Sequence, residues 1–89
     1  MEMTQTFTIK NILGLHARAA AAFVKISNRY HSEIFVHKDG ISVNGKSIMG
    51  VLMLAASKGT CIEISAKGDD ADEAMDALGQ LIEDKFGEE

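Results

Sequence analysis

The chain contains one cysteine and no proline. The single cysteine, Cys61, excludes a disulfide bond within the chain, which is typical of proteins from a reducing compartment. No repeated or low-complexity stretch divides the 89 residues, and a chain of this length holds one core. We therefore expect a single domain, 1–89.

Long apolar runs are also missing. The longest apolar-rich stretches are AAAAFV at 19–24 and IMGVLMLAA at 48–56. Both are far shorter than the roughly 18–20 residues that span a bilayer. The opening residues MEMTQTF lack the basic start and apolar run of a signal peptide. The sequence therefore predicts a soluble, cytoplasmic protein without membrane insertion.

Basic residues are in the minority. The chain has 9 Lys and Arg against 13 Asp and Glu, which gives a formal net charge of −4. A general nucleic-acid binder depends on clusters of basic side chains, so we expect no nucleic-acid partner.

Regular patterning is what the sequence does contain. Alternating apolar and polar residues predict four strands, and apolar residues three or four positions apart predict three helices. Asp39-Gly40 between two of the strands is typical of a hairpin turn. The strands are predicted in QTFTIKN, in the two halves of SEIFVHKDGISVNG and in TCIEISAK, and the helices from Ala17 to about Arg29, in KSIMGVLMLAA and from Asp70 onward.

The order β-α-β-β-α-β-α predicts an α+β fold. Each strand has one apolar face, which indicates an open-faced β-sandwich with a four-stranded antiparallel sheet and three helices on one face. Asp70 and Glu73 predict a capping box at the start of the last helix. The inward side chains are expected to be Ala20, Phe23, Val24, Ser27 and Tyr30, then Val51 and Leu54, then Ala74, Leu78, Leu81 and Ile82, extended by Phe86.

A histidine stands where the first helix begins, in GLHARAAAAFVKI. Helix N-caps are usually Ser, Thr, Asp or Asn, whose oxygens bind free backbone N–H groups. With His16 as the cap, the N–H groups of Ala17, Arg18 and Ala19 and the helix dipole form an anion site, to which Arg18 adds positive charge. The alternative is a solvated histidine at a helix end.

GLHAR before an alanine-rich helix, KSIMGV at a second short helix and this element order resemble HPr, the histidine-containing phosphocarrier of the bacterial sugar phosphotransferase system. The resemblance covers about Thr6 to Phe86. It implies that His16 accepts a phosphoryl group on Nδ1 from Enzyme I, with Arg18 stabilising it, and passes it to sugar-specific permease domains. It implies no metal and no organic cofactor. The chain would be a protein substrate rather than a standalone enzyme, and we expect a monomer.

The family motif usually has proline where this chain has Ala19. Proline fits the first turn of a helix because its missing N–H is not needed there. Alanine is a good helix former and adds one N–H group to the anion site. We expect carrier activity to survive, with a different transfer rate or a less rigid helix start.

Ser47 is predicted to cap the second helix. The resemblance also implies regulatory phosphorylation of Ser47 by HPr kinase/phosphorylase. A phosphate at this helix start suits the dipole and adds about two negative charges to the surface that meets a phosphorylated donor. The alternative is that Ser47 is only a cap.

Too many apolar residues lie in the second helix for one buried face, which indicates a docking surface. The resemblance adds the exposed side of the first helix to this surface. The predicted docking residues are Ala17, Ala21, Lys25, Ile48, Met49, Leu52 and Met53.

Two other functions stay open. One is a regulatory HPr paralogue for nitrogen or carbon control, and the other is a non-phosphorylated interaction domain in which His16 is incidental. His31 and His37 lack the context of His16 and are expected to be surface or sheet-face histidines, and Cys61 is expected on the sheet face away from the helices.

Overall fold

A computed structural model describes residues 1–88 and confirms the predicted order of elements. The strands are β1 (Glu2–Thr8), β2 (Glu33–Lys38), β3 (Ile41–Asn44) and β4 (Cys61–Lys67); the helices are α1 (Ala17–Ser27), α2 (Ile48–Met53) and α3 (Ala71–Glu83), followed by a 3-10 turn at Lys85–Gly87.

The four strands form one antiparallel sheet in the order β1-β4-β2-β3. Its register places Ile64 of β4 opposite Val36 of β2, and Val36 opposite Val43 of β3. Alternate residues of β4 are buried, as the period of a strand covered on one face requires. The three helices pack on that face, so the predicted open-faced sandwich is confirmed.

The core lies between the helices and the covered face of the sheet. All the predicted inward residues contribute to it, although Tyr30, Leu81 and Phe86 are only partly buried. Phe86 reaches the core from the 3-10 turn rather than from α3, since its φ of 57° departs from the helix. No helix within residues 1–88 is long and apolar enough to cross a membrane.

The Asp39-Gly40 turn forms as predicted. Both residues have positive φ, 50° and 80°, which is the combination that a two-residue hairpin between twisted strands requires. The turn joins β2 to β3 and fixes the pairing of Lys38 with Ile41.

Three elements depart from their predicted bounds. Helix α2 ends at Met53 rather than within LAA at 54–56, because Ala55 has a left-handed backbone with a φ of 48°. Strand β1 covers Glu2–Thr8 rather than residues 5–11, because its first residues pair with the far end of β4. Helix α1 ends at Ser27 rather than near Arg29. The Arg29 N–H donates to the Ile26 carbonyl at 3.0 Å, a tighter pattern that closes the last turn of the helix.

The predicted capping box at α3 is wrong. Asp70 is the N-cap residue, but its side chain makes no capping hydrogen bond. Its carboxylate instead accepts hydrogen bonds from the backbone N–H groups of His31 and Ser32, at 2.8 and 2.9 Å, and from the Ser32 hydroxyl. The carboxylate therefore ties the start of α3 to the loop before β2.

Candidate phosphoryl-acceptor site

His16 is the N-cap residue of α1. Its backbone is extended, with φ −73° and ψ 178°, and its side chain makes no capping hydrogen bond. The first bond of the helix runs from the Ala20 N–H to the His16 carbonyl at 2.8 Å. The N–H groups of residues 17–19 therefore lie ahead of the helical ladder, where they and the dipole favour an anion.

The loop before His16 is fixed by Gly14 and Leu15. Gly14 has a φ of 67°, and a Cβ built on it would lie 2.4 Å from the Ala56 carbonyl oxygen. The Leu15 N–H donates to that same oxygen at 2.9 Å, and the Leu15 side chain is buried. This close contact with the segment after α2 sets where the half-buried His16 side chain emerges.

The His16 ring is held by a backbone carbonyl. Nδ1 lies 3.1 Å from the Gly14 carbonyl oxygen. A carbonyl oxygen only accepts hydrogen bonds, so this contact is a hydrogen bond when Nδ1 carries a proton. The buried side chain of Asn11 also donates, from Nδ2, to the Gly14 oxygen at 2.7 Å.

A carboxylate from the turn after α3 completes the site. Glu88 accepts hydrogen bonds from Asn11 Nδ2 at 3.1 Å and from the Leu13 N–H at 3.2 Å. The pKa of the Glu88 carboxyl lies below its usual value, chiefly because of the Asn11 bond, with the Leu13 N–H and the charge of His16 acting in the same direction.

A small pocket opens beside the ring, with a volume of about 100 Å³. It is lined by Leu13, His16, Arg18, Phe86, Gly87 and Glu88. Arg18 is exposed, and among residues 1–88 no carboxylate oxygen lies within 4.0 Å of its guanidinium nitrogens. Its charge is therefore not paired with a carboxylate of the described chain, and Arg18 and His16 both line this pocket.

The predicted docking residues lie on two neighbouring helices. Ala17, Ala21 and Lys25 are exposed on α1, which packs against α2. On α2 the exposed fractions are 43% for Ile48, 71% for Met49 and 70% for Met53, whereas Leu52 is partly buried against the core. The structure thus leaves an apolar surface on α2 and places Leu52 at its margin.

Sequence reasoning missed four residues that border His16 or its loop: Asn11, described above, with Ile12, Leu13 and Glu88. Ile12 and Leu13 are 68% and 65% exposed in the loop between β1 and α1, and Glu88 bonds that loop. The sequence did contain a signal for Ile12 and Leu13, because this apolar pair belongs to the buried face of no predicted helix or strand. Glu88 gave no local signal because it is 75 residues from Leu13 in the sequence.

Ser47 caps α2, as predicted. Its Oγ accepts a hydrogen bond from the Gly50 N–H at 3.1 Å, and the residue is half-buried next to Ile48. The neighbouring Lys46 donates from Nζ to the Tyr30 carbonyl at 2.7 Å, which holds the approach to the cap against the loop after α1.

The other histidines and the cysteine lie apart from this site. His31 is exposed, and Nε2 of His37 lies 3.1 Å from the Ser65 hydroxyl on the outer face of the sheet. Cys61 is exposed, beside Thr8 on β1. Within residues 1–88 no three His, Cys, Asp or Glu side chains are grouped as a metal ion would need.

Residues 3–84 match the protein family described as the PTS HPr component phosphorylation site. The chain belongs to the HPr family. HPr from Neisseria meningitidis is 51% identical over 86 residues, which is 97% of each chain. The phosphocarrier identity of the chain rests on this match together with the fold.

A solved structure and a second kind of relative extend the comparison. HPr from Thermoanaerobacter tengcongensis aligns with a TM-score of 0.94 and 52% identity over 98% of each chain, and HPr of that organism has also been solved as a dimer. The HPr-like protein Crh of Halalkalibacterium halodurans is 51% identical over 75 residues, 84% of this chain and 89% of Crh. HPr and Crh are therefore similarly close relatives by identity.

Proposed function

We propose that His16 accepts a phosphoryl group from phosphorylated Enzyme I, which draws it from phosphoenolpyruvate, and passes it to sugar-specific permease domains. The observation that carries this proposal is the placement of His16 as an N-cap that makes no capping bond, ahead of free helix N–H groups. Membership of the HPr family supports the same role.

The residues around His16 suit the transfer step. The donor's bond to phosphorus breaks as the Nδ1 lone pair forms the new P–N bond, so the Nδ1 proton moves to solvent or to Nε2 beforehand. Arg18 and the N–H groups of Ala17, Arg18 and Ala19 then face the phosphoryl oxygens, with charge-assisted hydrogen bonds and the helix dipole stabilising the charge. No metal or organic cofactor is needed, and the chain acts as a substrate of its partners rather than as an enzyme.

Incubation with purified Enzyme I and phosphoenolpyruvate tests this function. Mass spectrometry should show an acid-labile gain of one phosphoryl group in the wild type and in His31→Ala, and no gain in His16→Ala. An unmodified wild type, or an adduct that persists in His16→Ala, overturns the proposal. An unmodified wild type would favour a non-phosphorylated interaction domain in which His16 is incidental.

We also propose regulation at Ser47 by HPr kinase/phosphorylase. The hydroxyl lies at the start of α2, beside the exposed side chains of Ile48 and Met49, where about two negative charges would repel a phosphorylated donor. ATP and the kinase should give an acid-stable adduct that Ser47→Ala lacks. A wild type that stays unmodified contradicts the proposal.

A regulatory role is the second candidate, because Crh matches as closely in identity as HPr does. The Crh of Bacillus subtilis is described as a catabolite repression protein. Deletion of the gene separates the two roles. Loss of growth on sugars taken up by phosphotransfer supports the carrier, whereas normal growth with altered catabolite repression supports the regulator.

The proposed state is a cytoplasmic monomer that binds Enzyme I and permease domains through the exposed surface of α1 and α2. Ala17, Ala21, Lys25, Ile48, Met49, Leu52 and Met53 form this docking surface, of which Leu52 contributes only an edge. Sedimentation equilibrium should return the monomer mass. A dimer at micromolar concentration overturns the monomeric state.

A further inference from the structure

Four groups form one connected chain of hydrogen bonds beside the α1 N-terminus. Glu88 binds the Asn11 side chain, Asn11 binds the Gly14 carbonyl, and that carbonyl binds Nδ1 of His16, at 3.1, 2.7 and 3.1 Å. Glu88 also accepts a hydrogen bond from the Leu13 N–H. This series of hydrogen bonds joins the turn after α3 to the imidazole ring through the loop before α1.

The orientation of Asn11 is fixed by its neighbours. Both the Gly14 carbonyl and the Glu88 carboxylate accept hydrogen bonds, so only the NH₂ end of the amide can face them, and it gives one hydrogen to each. Its Oδ1 is buried without a partner among residues 1–88. Leaving a buried acceptor unbonded is costly, so the contacts on the NH₂ side determine the orientation.

The observed ring orientation is incompatible with a phosphoryl group on Nδ1. The Gly14 oxygen occupies a position 3.1 Å from Nδ1, along the direction in which a P–N bond would form. In addition, Glu88 lines the same pocket as His16 and Arg18, where its negative charge repels an arriving phosphoryl group. The phosphoryl oxygens are acceptors, so they compete with Glu88 for donors at the loop.

We propose that Asn11 and Glu88 are positioning residues that hold His16 in a resting orientation, with Nδ1–H on the Gly14 carbonyl, and that this hydrogen-bond chain opens when the phosphoryl group arrives. The resting orientation stands on the geometry alone. The opening step rests on the proposed function. In that step the ring proton moves from Nδ1 to Nε2, the Nδ1 lone pair forms the P–N bond, and the donor's bond to phosphorus breaks.

Imidazole ¹⁵N NMR of the unphosphorylated protein, at a pH where the ring is neutral, tests the resting orientation. The wild type should be mainly the Nδ1–H tautomer of His16. Asn11→Ala and Glu88→Ala should each lower the Nδ1–H to Nε2–H ratio about threefold, which a single hydrogen bond can supply. Glu88→Gln keeps an acceptor and should restore most of the ratio.

Matched controls separate positioning from general damage. Glu83→Ala removes a carboxylate that pairs with Lys10, and Asn28→Ala removes an exposed amide after α1. Both should leave the tautomer ratio of His16 unchanged. If Asn11→Ala unfolds, the Glu88 variants decide alone. A wild type that is mainly Nε2–H, or a ratio that is the same in wild type and Glu88→Ala, overturns the resting orientation.

The opening step is tested at equilibrium with Enzyme I, phosphoenolpyruvate and pyruvate. Glu88→Gln should raise the ratio of phosphorylated to free chain about threefold, the effect of removing one partly screened charge near the phosphoryl group. In the wild type, phosphorylation should speed hydrogen exchange at the Leu13 amide. An unchanged or lower ratio in Glu88→Gln overturns the opening step. A wild type that is never phosphorylated overturns the proposed function instead, and the tautomer ratios remain decisive for the resting orientation.

Discussion

At the scale of the residue, Gly14 leaves no room for a side chain. Its backbone is left-handed, and the space where a side chain would start is taken by the Ala56 carbonyl and Ser57 Cα, at 2.4 and 2.9 Å from a built Cβ. The same residue offers its carbonyl to His16 and to Asn11. Gly14 thus combines a left-handed backbone, a close contact with the segment after α2 and the carbonyl that orients the His16 ring.

Gly14→Ala should lower the free energy of unfolding by about 2–4 kcal/mol, because strain at positive φ adds to a backbone collision. Urea denaturation measures the change. Gly40→Ala is the control, since its φ of 80° gives the same kind of strain with no atom within 4 Å of the added Cβ. It should lose only about 1–2 kcal/mol. Equal losses in the two variants would contradict a role for the Ala56 contact.

Arg18→Ala should slow phosphoryl transfer to the chain by about tenfold or more, because charge-assisted hydrogen bonds to the phosphoryl oxygens are lost. Rapid-quench kinetics with Enzyme I measures the rate. Arg18→Lys should recover part of it, since it keeps the charge without the forked geometry. Arg29→Ala removes an exposed arginine just beyond the far end of α1 and should be close to wild type. If Arg18→Ala is as fast as Arg29→Ala, Arg18 does not stabilise the phosphoryl group.

The sequence allowed His16 to be placed at the helix start, because Gly14, His16 and the alanine-rich run follow one another within a few residues. Asn11 and Glu88 were not predicted as part of the site. Their hydrogen bond joins positions 77 residues apart, and Asn11 by itself resembles any polar residue in a turn. Local patterns carry no information about such pairs.

At the scale of elements, α2 is capped well at its start and poorly at its end. Ser47 binds the Gly50 N–H, whereas the residue after the C-cap, Ala55, has a φ of 48°. Helices usually place glycine at this left-handed position because an L side chain is strained there. The helix has only six residues, so each end weighs heavily in its stability.

Ala55→Gly should raise the free energy of unfolding by about 1 kcal/mol, because relief of strain at positive φ outweighs the extra freedom of glycine in the unfolded chain. Thermal or urea denaturation measures it. Ala21→Gly, on the exposed side of α1, should change stability by about the same amount in the opposite direction. A destabilised Ala55→Gly would show that the left-handed residue is not strained.

Sequence patterns predicted some helix starts correctly and others wrongly. Apolar spacing located every helix and strand, and Ser47 marked one helix start correctly. The Asp70–Glu73 pattern failed because the loop before β2 offers the Asp70 carboxylate backbone N–H groups and a hydroxyl from another part of the fold. A capping pattern in the sequence gives no information about hydrogen-bond donors that come from another part of the fold.

In the whole molecule, Asp70 links two regions that are far apart in sequence. The Ser32 hydroxyl and the His31 and Ser32 N–H groups lower the pKa of the Asp70 carboxyl from 3.8 to about 2. The folded protein therefore keeps this carboxylate ionised at pH values where the unfolded chain protonates it. Its contribution to stability is complete above about pH 4 and is lost as the pH falls toward 2.

Asp70→Asn should flatten the fall in stability between about pH 4 and pH 2, since the group that protonates on unfolding there is gone. Urea midpoints measured across this range check it. Asp69→Asn removes the neighbouring exposed carboxylate and should leave the slope as in the wild type. Parallel slopes in wild type and Asp70→Asn would contradict the linkage.

The sheet order also constrains how the molecule is made. Strand β4 lies between β1 and β2, so Thr8 pairs with Cys61 and Glu2 with Lys67. Until residues 61–67 have been synthesised, β1 has no neighbour and β2 and β3 form only a hairpin. Contacts this distant in sequence slow folding and make it cooperative. Neither half of the chain contains the complete sheet, so we expect the protein to reach its folded structure only after β4 has been synthesised.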